Sequence, residues 1–130
     1  MGTPKATDRK NRIAAAADLD AWSNHGWTEG VQIDRMGELE TLIVKTYGGV
    51  TYEMTTVSGR TGEILVRGGQ LFPERTAARL SGASLGSSFL KLRGVYLGFC
   101  VELHIDDIRI VTSPVRAIEW VGHHRIETTA

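Results

Sequence analysis

The stretch of sequence that decides the fold is LGFCVELHIDDIRIVT, residues 97–112. On both sides of the paired aspartates, apolar residues alternate with polar or small ones, which is the period of a β-strand with one buried face. A two-residue turn at Asp106 and Asp107 therefore predicts a β-hairpin. A slip of one residue would turn the apolar row towards water, so the pattern specifies the register. Three pairs of side chains share the apolar face in this register: Ile105 with Ile108, Leu103 with Ile110 and Val101 with Thr112.

The opposite face of the predicted hairpin carries a polar set that is a candidate active site. Alternation places Cys100, Glu102 and His104 on this face. Arg109 on the return strand faces His104 and lies diagonal to Glu102. In a cavity, the thiol or the imidazole would act as nucleophile or base, and the carboxylate would orient it. In water, the same residues would form an ion pair beside an idle thiol, and this is what we expect.

The rest of the chain predicts further short strands joined by tight turns. Gly48 and Gly49 tolerate the positive φ of a hairpin turn, and Pro73 favours a loop or a strand edge. The predicted strands lie near residues 42–45, 50–57, 63–67 and 115–121, with a strand or a helical turn at 76–80. Residues 81–88 are small and are predicted to form a loop. This succession of about six to eight short strands indicates a mainly β fold, a small antiparallel β-barrel or sandwich.

A helical segment precedes the predicted strands. Residues 8–25 are rich in alanine and carry Leu19 and Trp22 on a narrow apolar stripe, which predicts one N-terminal α-helix. The predicted organisation is a disordered tail at 1–7, a single β-rich domain at 8–122 that includes the helix, and a polar C-terminal tail at 123–130.

Composition and charge exclude several classes of protein. With 130 residues, 42% of them hydrophobic, the chain is long enough for one domain with its own core. Fifteen basic residues balance fifteen acidic ones, so no general nucleic-acid binding is expected. The zero net charge weakens self-repulsion and mildly favours a homo-oligomer. The single Cys100 excludes an intrachain disulfide and predicts a cytoplasmic protein, and no apolar run is long enough for a membrane span.

The region from residue 75 to residue 88 is the predicted binding region. The small and hydroxyl residues at 81–88 leave backbone N–H groups accessible to an anion, in the manner of an anion-binding nest. No Lys-Ser/Thr pair follows them, so the segment is not a nucleotide-binding P-loop. The predicted ligand-binding residues are Arg75, Arg79, Ser81, Ser84, Ser87 and Ser88.

Part of this region resembles PilZ domains, small β-barrels that bind cyclic di-GMP. Those domains carry two arginines separated by three residues and a short Ser/Gly motif before a strand. Arg75 and Arg79 have that spacing, and Ser-Leu-Gly follows at 84–86. The arginines lie closer to this motif than in the family, and Gly82 stands where the family has an acidic or amide residue. The resemblance implies a cyclic dinucleotide as the ligand.

Three functions therefore remain open. The leading hypothesis is a non-catalytic binding or interaction protein that engages a small anionic ligand or a protein partner through residues 75–88. The alternatives are a small barrel enzyme that uses the polar face of the hairpin, and a PilZ-like binder of cyclic dinucleotides. Neither a cofactor nor a metal is predicted, since the adjacent His123 and His124 would point to opposite sides of a strand.

Overall fold

The computed structural model describes residues 29–85 and 89–121, and β-strands dominate this part of the chain. The strands are, in chain order, β1 (Gly30–Gln32), β2 (Thr41–Thr46), β3 (Thr51–Ser58), β4 (Glu63–Gly68), β5 (Phe72–Ser84), β6 (Leu90–Leu92), β7 (Gly94–Tyr96), β8 (Cys100–Ile105), β9 (Ile108–Val111) and β10 (Val115–Val121). A 3-10 helix, Ile33–Arg35, follows β1. No helix in the described ranges is long and apolar enough to cross a membrane. The predicted helix at 8–25 and both predicted tails lie outside these ranges.

The order of the strands confirms a mainly β fold with antiparallel sheets. The large sheet runs β10-β2-β3-β4-β5-β8-β9, and β6 also pairs with β5, while β1 and β7 form a small second sheet. Strands β2 to β5 follow one another as antiparallel neighbours, in line with the predicted short turns. A bridge between Leu97 and Val115 links β10 to the segment before β8. The strands described here do not form a closed barrel, because β9 and β10 end the large sheet.

The hydrophobic core lies on one face of the large sheet. Alternate residues of each strand point to this face, as the strand period of two requires. Ile33, Met36 and Val95 join the core from the 3-10 helix, the residue after it and β7. The sheet residues that are almost fully buried at its centre are Leu42, Val44, Ile64, Val66, Leu80, Val101 and Leu103.

The predicted hairpin forms as β8 and β9, with the predicted register. Ile105 pairs with Ile108, and Asp106 adopts a positive φ of 52° in the turn between them. Thr112 lies opposite Val101, whose backbone N–H donates to the threonine hydroxyl at 3.0 Å. The buried row is shorter than the pattern predicts, because Ile108 is 63% exposed near the tip of the hairpin.

Strand β5 replaces the start of the predicted loop. Residues 81–84 continue a strand of 13 residues, so the prediction of a loop from residue 81 is wrong for these four residues. Here β6 pairs along one edge of β5 and β8 along the other. This long-range pairing overrides the weak strand propensity of serine, glycine and alanine. The segment at 76–80, predicted as a strand or a helical turn, is also part of β5.

Gly82 makes this double pairing possible. A Cβ atom added here would lie 2.1 Å from the carbonyl oxygen of Lys91 on β6, and the φ of +152° is one that side chains disfavour. The register with β8 shifts between Leu80 and Gly82, which leaves Ser81 as the extra residue of a β-bulge. A close approach of two backbones therefore explains this glycine.

We expect Gly82→Ala to destabilise the fold by about 1–3 kcal/mol, the usual cost of holding a side chain in a disfavoured conformation. Urea unfolding followed by circular dichroism measures the loss. Gly37→Ala is the matched control, because its added Cβ would meet its nearest neighbour at an ordinary 3.6 Å. The control should change stability by less than about 0.5 kcal/mol. Equal losses for the two variants would contradict the role assigned to Gly82.

Candidate functional site

The polar side of β8 faces away from the core, as predicted, and lies beside the outer side of β5. Cys100, Glu102 and His104 share this side, and His104 pairs with Arg79 on β5. The apolar residues of β8 that alternate with them belong to the core. The candidate site is therefore supported by two adjacent strands of the sheet, whose backbones are held by hydrogen bonds.

Glu102 is held in a fixed structural ion pair. Its carboxylate accepts hydrogen bonds from Nε of Arg109 at 3.0 Å and from Nη2 at 2.8 Å. Although the side chain points away from the core, only 7% of it is exposed, so the expectation that it meets water is wrong for this residue. The bonds from Arg109 hold the pKa of Glu102 below its usual value, with help from a Ser84 hydrogen bond and against the effect of burial.

Cys100 is placed poorly for nucleophilic chemistry. The thiol is partly buried, and burial together with the nearby Glu102 charge raises its pKa. Because the thiolate is the reactive form, a raised pKa lowers reactivity at neutral pH. Both Glu102 oxygens already accept hydrogen bonds from Arg109. The predicted set of Cys100, Glu102 and His104 thus shares one face. Its members do not act on one another, because Glu102 is hydrogen-bonded to Arg109 and His104 to a serine on β5.

The imidazole of His104 is hydrogen-bonded to a serine on the next strand. Ser81 Oγ lies 2.6 Å from Nδ1 of His104, and the serine donates when that nitrogen carries no proton. The bulge in β5 brings Ser81 to this position. The sequence predicted both residues as candidates in separate places, because no residue pattern announces a bulge between two distant strands.

A depression of about 380 Å³ opens above Ser81. Polar residues from four parts of the chain line it: Arg79 and Ser81 from β5, His104 from β8, and Thr61 and Arg93 from two turns. Leu80, Leu90 and Leu92 complete its lining. Thr61 and Arg93 were not predicted as site residues. Both lie in turns whose meeting with β5 depends on the whole fold, and no local signal marks them.

The two arginines of the depression differ in their partners. Arg93 donates from Nε to Asp34 at 2.8 Å, which fixes the direction of its guanidinium group. Arg79 is exposed, and within the described residues its guanidinium group forms neither an ion pair nor a hydrogen bond. An arginine without a protein partner beside oriented hydroxyl groups is the feature of this surface best suited to an anion.

The other predicted ligand-binding residues lie elsewhere. Arg75 is 3.6 Å from the carboxylate of Glu53, which also pairs with Arg67 at 3.0 Å. Ser84 is buried and hydrogen-bonds to Glu102. Ser87 and Ser88 lie outside the described residues. Of the six predicted residues, the structure brings Arg79 and Ser81 together at one depression.

A second depression, of about 460 Å³, adjoins the first. The two share Arg79 and His104 as lining residues. More apolar residues line the second depression than the first, together with the two acidic residues Glu63 and Asp106. Its other lining residues are Val57, Ile64, Leu65, Ala77, Ala78 and Ile105.

Comparisons with protein-family models, with curated proteins and with solved structures gave no match. The resemblance to PilZ domains therefore rests only on the short motif at 75–86. Within residues 29–85 and 89–121, no three His, Cys, Asp or Glu side chains are grouped so that they would hold a metal ion. The site has to be interpreted from its own geometry.

We expect Glu102→Gln to lower the free energy of unfolding at neutral pH. The difference from the wild-type protein should become smaller as the pH falls. The fold lowers the pKa of Glu102, so the ionised carboxylate stabilises the protein above the unfolded-state pKa. That contribution is lost as the pH falls through the lowered folded-state pKa. Urea unfolding of both proteins at pH 7 and at several values below about 4 measures the narrowing difference.

Glu74→Gln is the control for this pH series, because Glu74 is an exposed carboxylate on β5. Its stability should follow that of the wild-type protein at every pH. A difference between Glu102→Gln and wild type that stays constant from neutral to acid pH would show that the Arg109 pair does not stabilise the ionised form.

Proposed function

We propose that this protein is a non-catalytic binding protein whose ligand is a small anion of the phosphate class. The anion would occupy the depression above Ser81. The observation that carries the proposal is the exposed Arg79 guanidinium group, which has no described partner and stands beside Ser81, Thr61 and Arg93. Arginine presents several N–H donors in a planar array that matches the oxygens of phosphate or carboxylate groups.

The remaining groups of the depression suit the same ligand. Arg93 is already oriented by Asp34, so binding would order little additional side chain. The hydroxyl groups of Thr61 and Ser81 add polarity, but Thr61 already donates to the Ser58 carbonyl oxygen and Ser81 is hydrogen-bonded to His104, so the donors open to an anion are the N–H groups of the two arginines. A volume of about 380 Å³ lies within the range of small-molecule sites. The zero net charge favours a small ligand over a nucleic-acid chain.

The other ligands that the sequence analysis left open, a cyclic dinucleotide and a protein partner, have less support from the contacts in the structure. Arg75 is paired with Glu53 and Ser84 with Glu102, so a PilZ-like site would have to use arginine and serine residues that are already occupied. A protein partner or a second copy would find strand edges at β9 and along most of β10 that no other strand of the described residues pairs with. No charge or apolar pattern at these edges specifies a partner. A cytoplasmic location, inferred from the single Cys100, belongs to the same proposal.

We expect Arg79→Gln to weaken the binding of inorganic phosphate by about tenfold or more, since hydrogen bonds to charged groups contribute that much. Isothermal titration calorimetry at low salt measures the affinity. Arg75→Gln is the matched control, because it removes the same charge from the same strand at a residue that pairs with Glu53. The control should stay within about twofold of wild type.

The binding proposal would be overturned in either of two ways. The first is a failure of inorganic phosphate and of organic phosphates to bind the wild-type protein at millimolar concentration. The second is an equal loss of binding in Arg79→Gln and Arg75→Gln, which would indicate a general effect of charge. A change in melting temperature with added phosphate provides an independent readout, because a ligand that binds only the folded state stabilises it.

A second candidate function is nucleophilic catalysis by Ser81. The observation that favours it is the 2.6 Å distance between Ser81 Oγ and His104 Nδ1, since serine nucleophiles are activated by an adjacent base. Within the described residues no carboxylate is hydrogen-bonded to the other ring nitrogen of His104, so the base lacks the orienting acid of a triad. This arrangement makes the enzyme candidate weaker than the binding candidate.

We expect a fluorophosphonate reagent to leave Ser81 unmodified. Intact-protein mass spectrometry followed by peptide mapping detects the adduct. His104→Gln is the control that separates activated chemistry from slow background reaction. Modification of Ser81 in the wild-type protein that disappears in His104→Gln would favour the enzyme candidate over simple binding.

A further inference from the structure

We propose that the anionic ligand is a phosphate monoester with a flat, apolar ring that carries amino donors, the chemistry of a nucleoside monophosphate. This inference rests on the proposed function and assigns the body of the ligand to the second depression. The phosphate would lie above Ser81, and the ring would lie beyond Arg79, in the depression that Ala77 and Leu65 help to line.

The first observation is the continuity of the two depressions. Arg79 and His104 line both, so a ligand anchored at Ser81 would have the second depression next to it. The second measures about 460 Å³, within the range of volumes that small-molecule sites have. Arg79 stands between the two, where its planar guanidinium group can contact a phosphate and also stack on a ring.

The second observation is the lining of the second depression. Val57, the unpaired residue of a bulge near the end of β3, is 41% exposed and leaves apolar surface open to a ligand. Ala77 is also exposed, and its small side chain leaves room for a flat ring beside Leu65, its partner on β4. Burial of about 60 Å² of apolar ligand surface would suffice for a tenfold gain in affinity.

The third observation is the pair of carboxylates at the second depression. Glu63 and Asp106 both line it, and within the described residues neither side chain is hydrogen-bonded or ion-paired. Ionised carboxylates accept hydrogen bonds but donate none, so they favour amino groups on the ring. Their negative charge opposes a second phosphate at this end of the site, and Glu63, the cross-strand neighbour of Arg79, also lowers the positive potential that the first phosphate meets.

The test compares four probes by isothermal titration calorimetry: AMP, IMP, ribose 5-phosphate and adenosine. We expect AMP to bind about tenfold more tightly than ribose 5-phosphate, because only AMP places a ring in the second depression. IMP should bind more weakly than AMP, because its ring has a carbonyl acceptor in place of the amino donor. Adenosine, which lacks the phosphate, should bind more weakly than AMP.

Ala77→Leu tests where the ring lies. The larger side chain would fill the second depression, so AMP should bind this variant no better than ribose 5-phosphate does. Binding of ribose 5-phosphate should stay within about twofold of wild type. Ala77→Ser is the matched control at the same position and should keep the preference for AMP. Val57→Gln replaces apolar surface of the second depression with a longer polar side chain, and it takes the place of Ala77→Leu if that variant does not fold.

The outcomes separate the two proposals. If ribose 5-phosphate binds through Arg79 and AMP binds no better, the assignment of the ring is overturned and the phosphate site stands. If AMP retains its advantage in both Ala77→Leu and Val57→Gln, the ring lies elsewhere and the inference is again overturned. If IMP binds as tightly as AMP, the role given to the carboxylates is wrong. If no phosphate compound binds, the proposed function fails together with the inference.

Discussion

The fold depends on the pairing of three backbones at Gly82. β6 and β8 both pair with β5 there, so this residue is paired with Leu92 on one edge and with Glu102 on the other. The carbonyl oxygen of Lys91 occupies the space that a Cβ atom would need. The position of β8 fixes that of β9, and the position of β6 fixes the turn that carries Arg93. This residue without a side chain is therefore one of the places at which the two halves of the described chain are joined.

The same pairing creates the candidate site. A bulge inserts Ser81 between Leu80, which points into the core, and Gly82. The inserted hydroxyl reaches His104 on the neighbouring strand, while the backbone N–H of Arg93 donates to the Ser81 carbonyl oxygen at 2.9 Å. Bulges often direct a side chain towards a functional surface. Here a single irregularity brings together groups that are distant in the sequence.

Sequence patterns predicted the strands in which apolar and polar residues alternate. They failed for segments whose structure depends on pairing with distant strands. The register of β8 and β9 was readable because a slip would expose its apolar row. Residues 81–84 have no apolar alternation, so their place in a strand became evident only from their two neighbours. Arg75 and Arg79 have the spacing of the PilZ arginine pair. On a β-strand, however, residues four positions apart are separated by about 13 Å, which is too far for both to line one small depression. The burial of Glu102 likewise depends on how Arg109 and Ser84 surround it.

Some strands pair with their neighbours in the sequence, and others pair with strands far along the chain. Strands β2 to β5 meet their neighbours across short turns, whereas β10 reaches β2 only when Ile118 pairs with Val44. Closing so long a stretch of chain costs conformational entropy and slows folding. We therefore expect the hairpins from β2 to β5 to form before β10 pairs with β2 and before β1 pairs with β7. Until β10 arrives, the edge of β2 that it covers is a template on which another folding chain can pair.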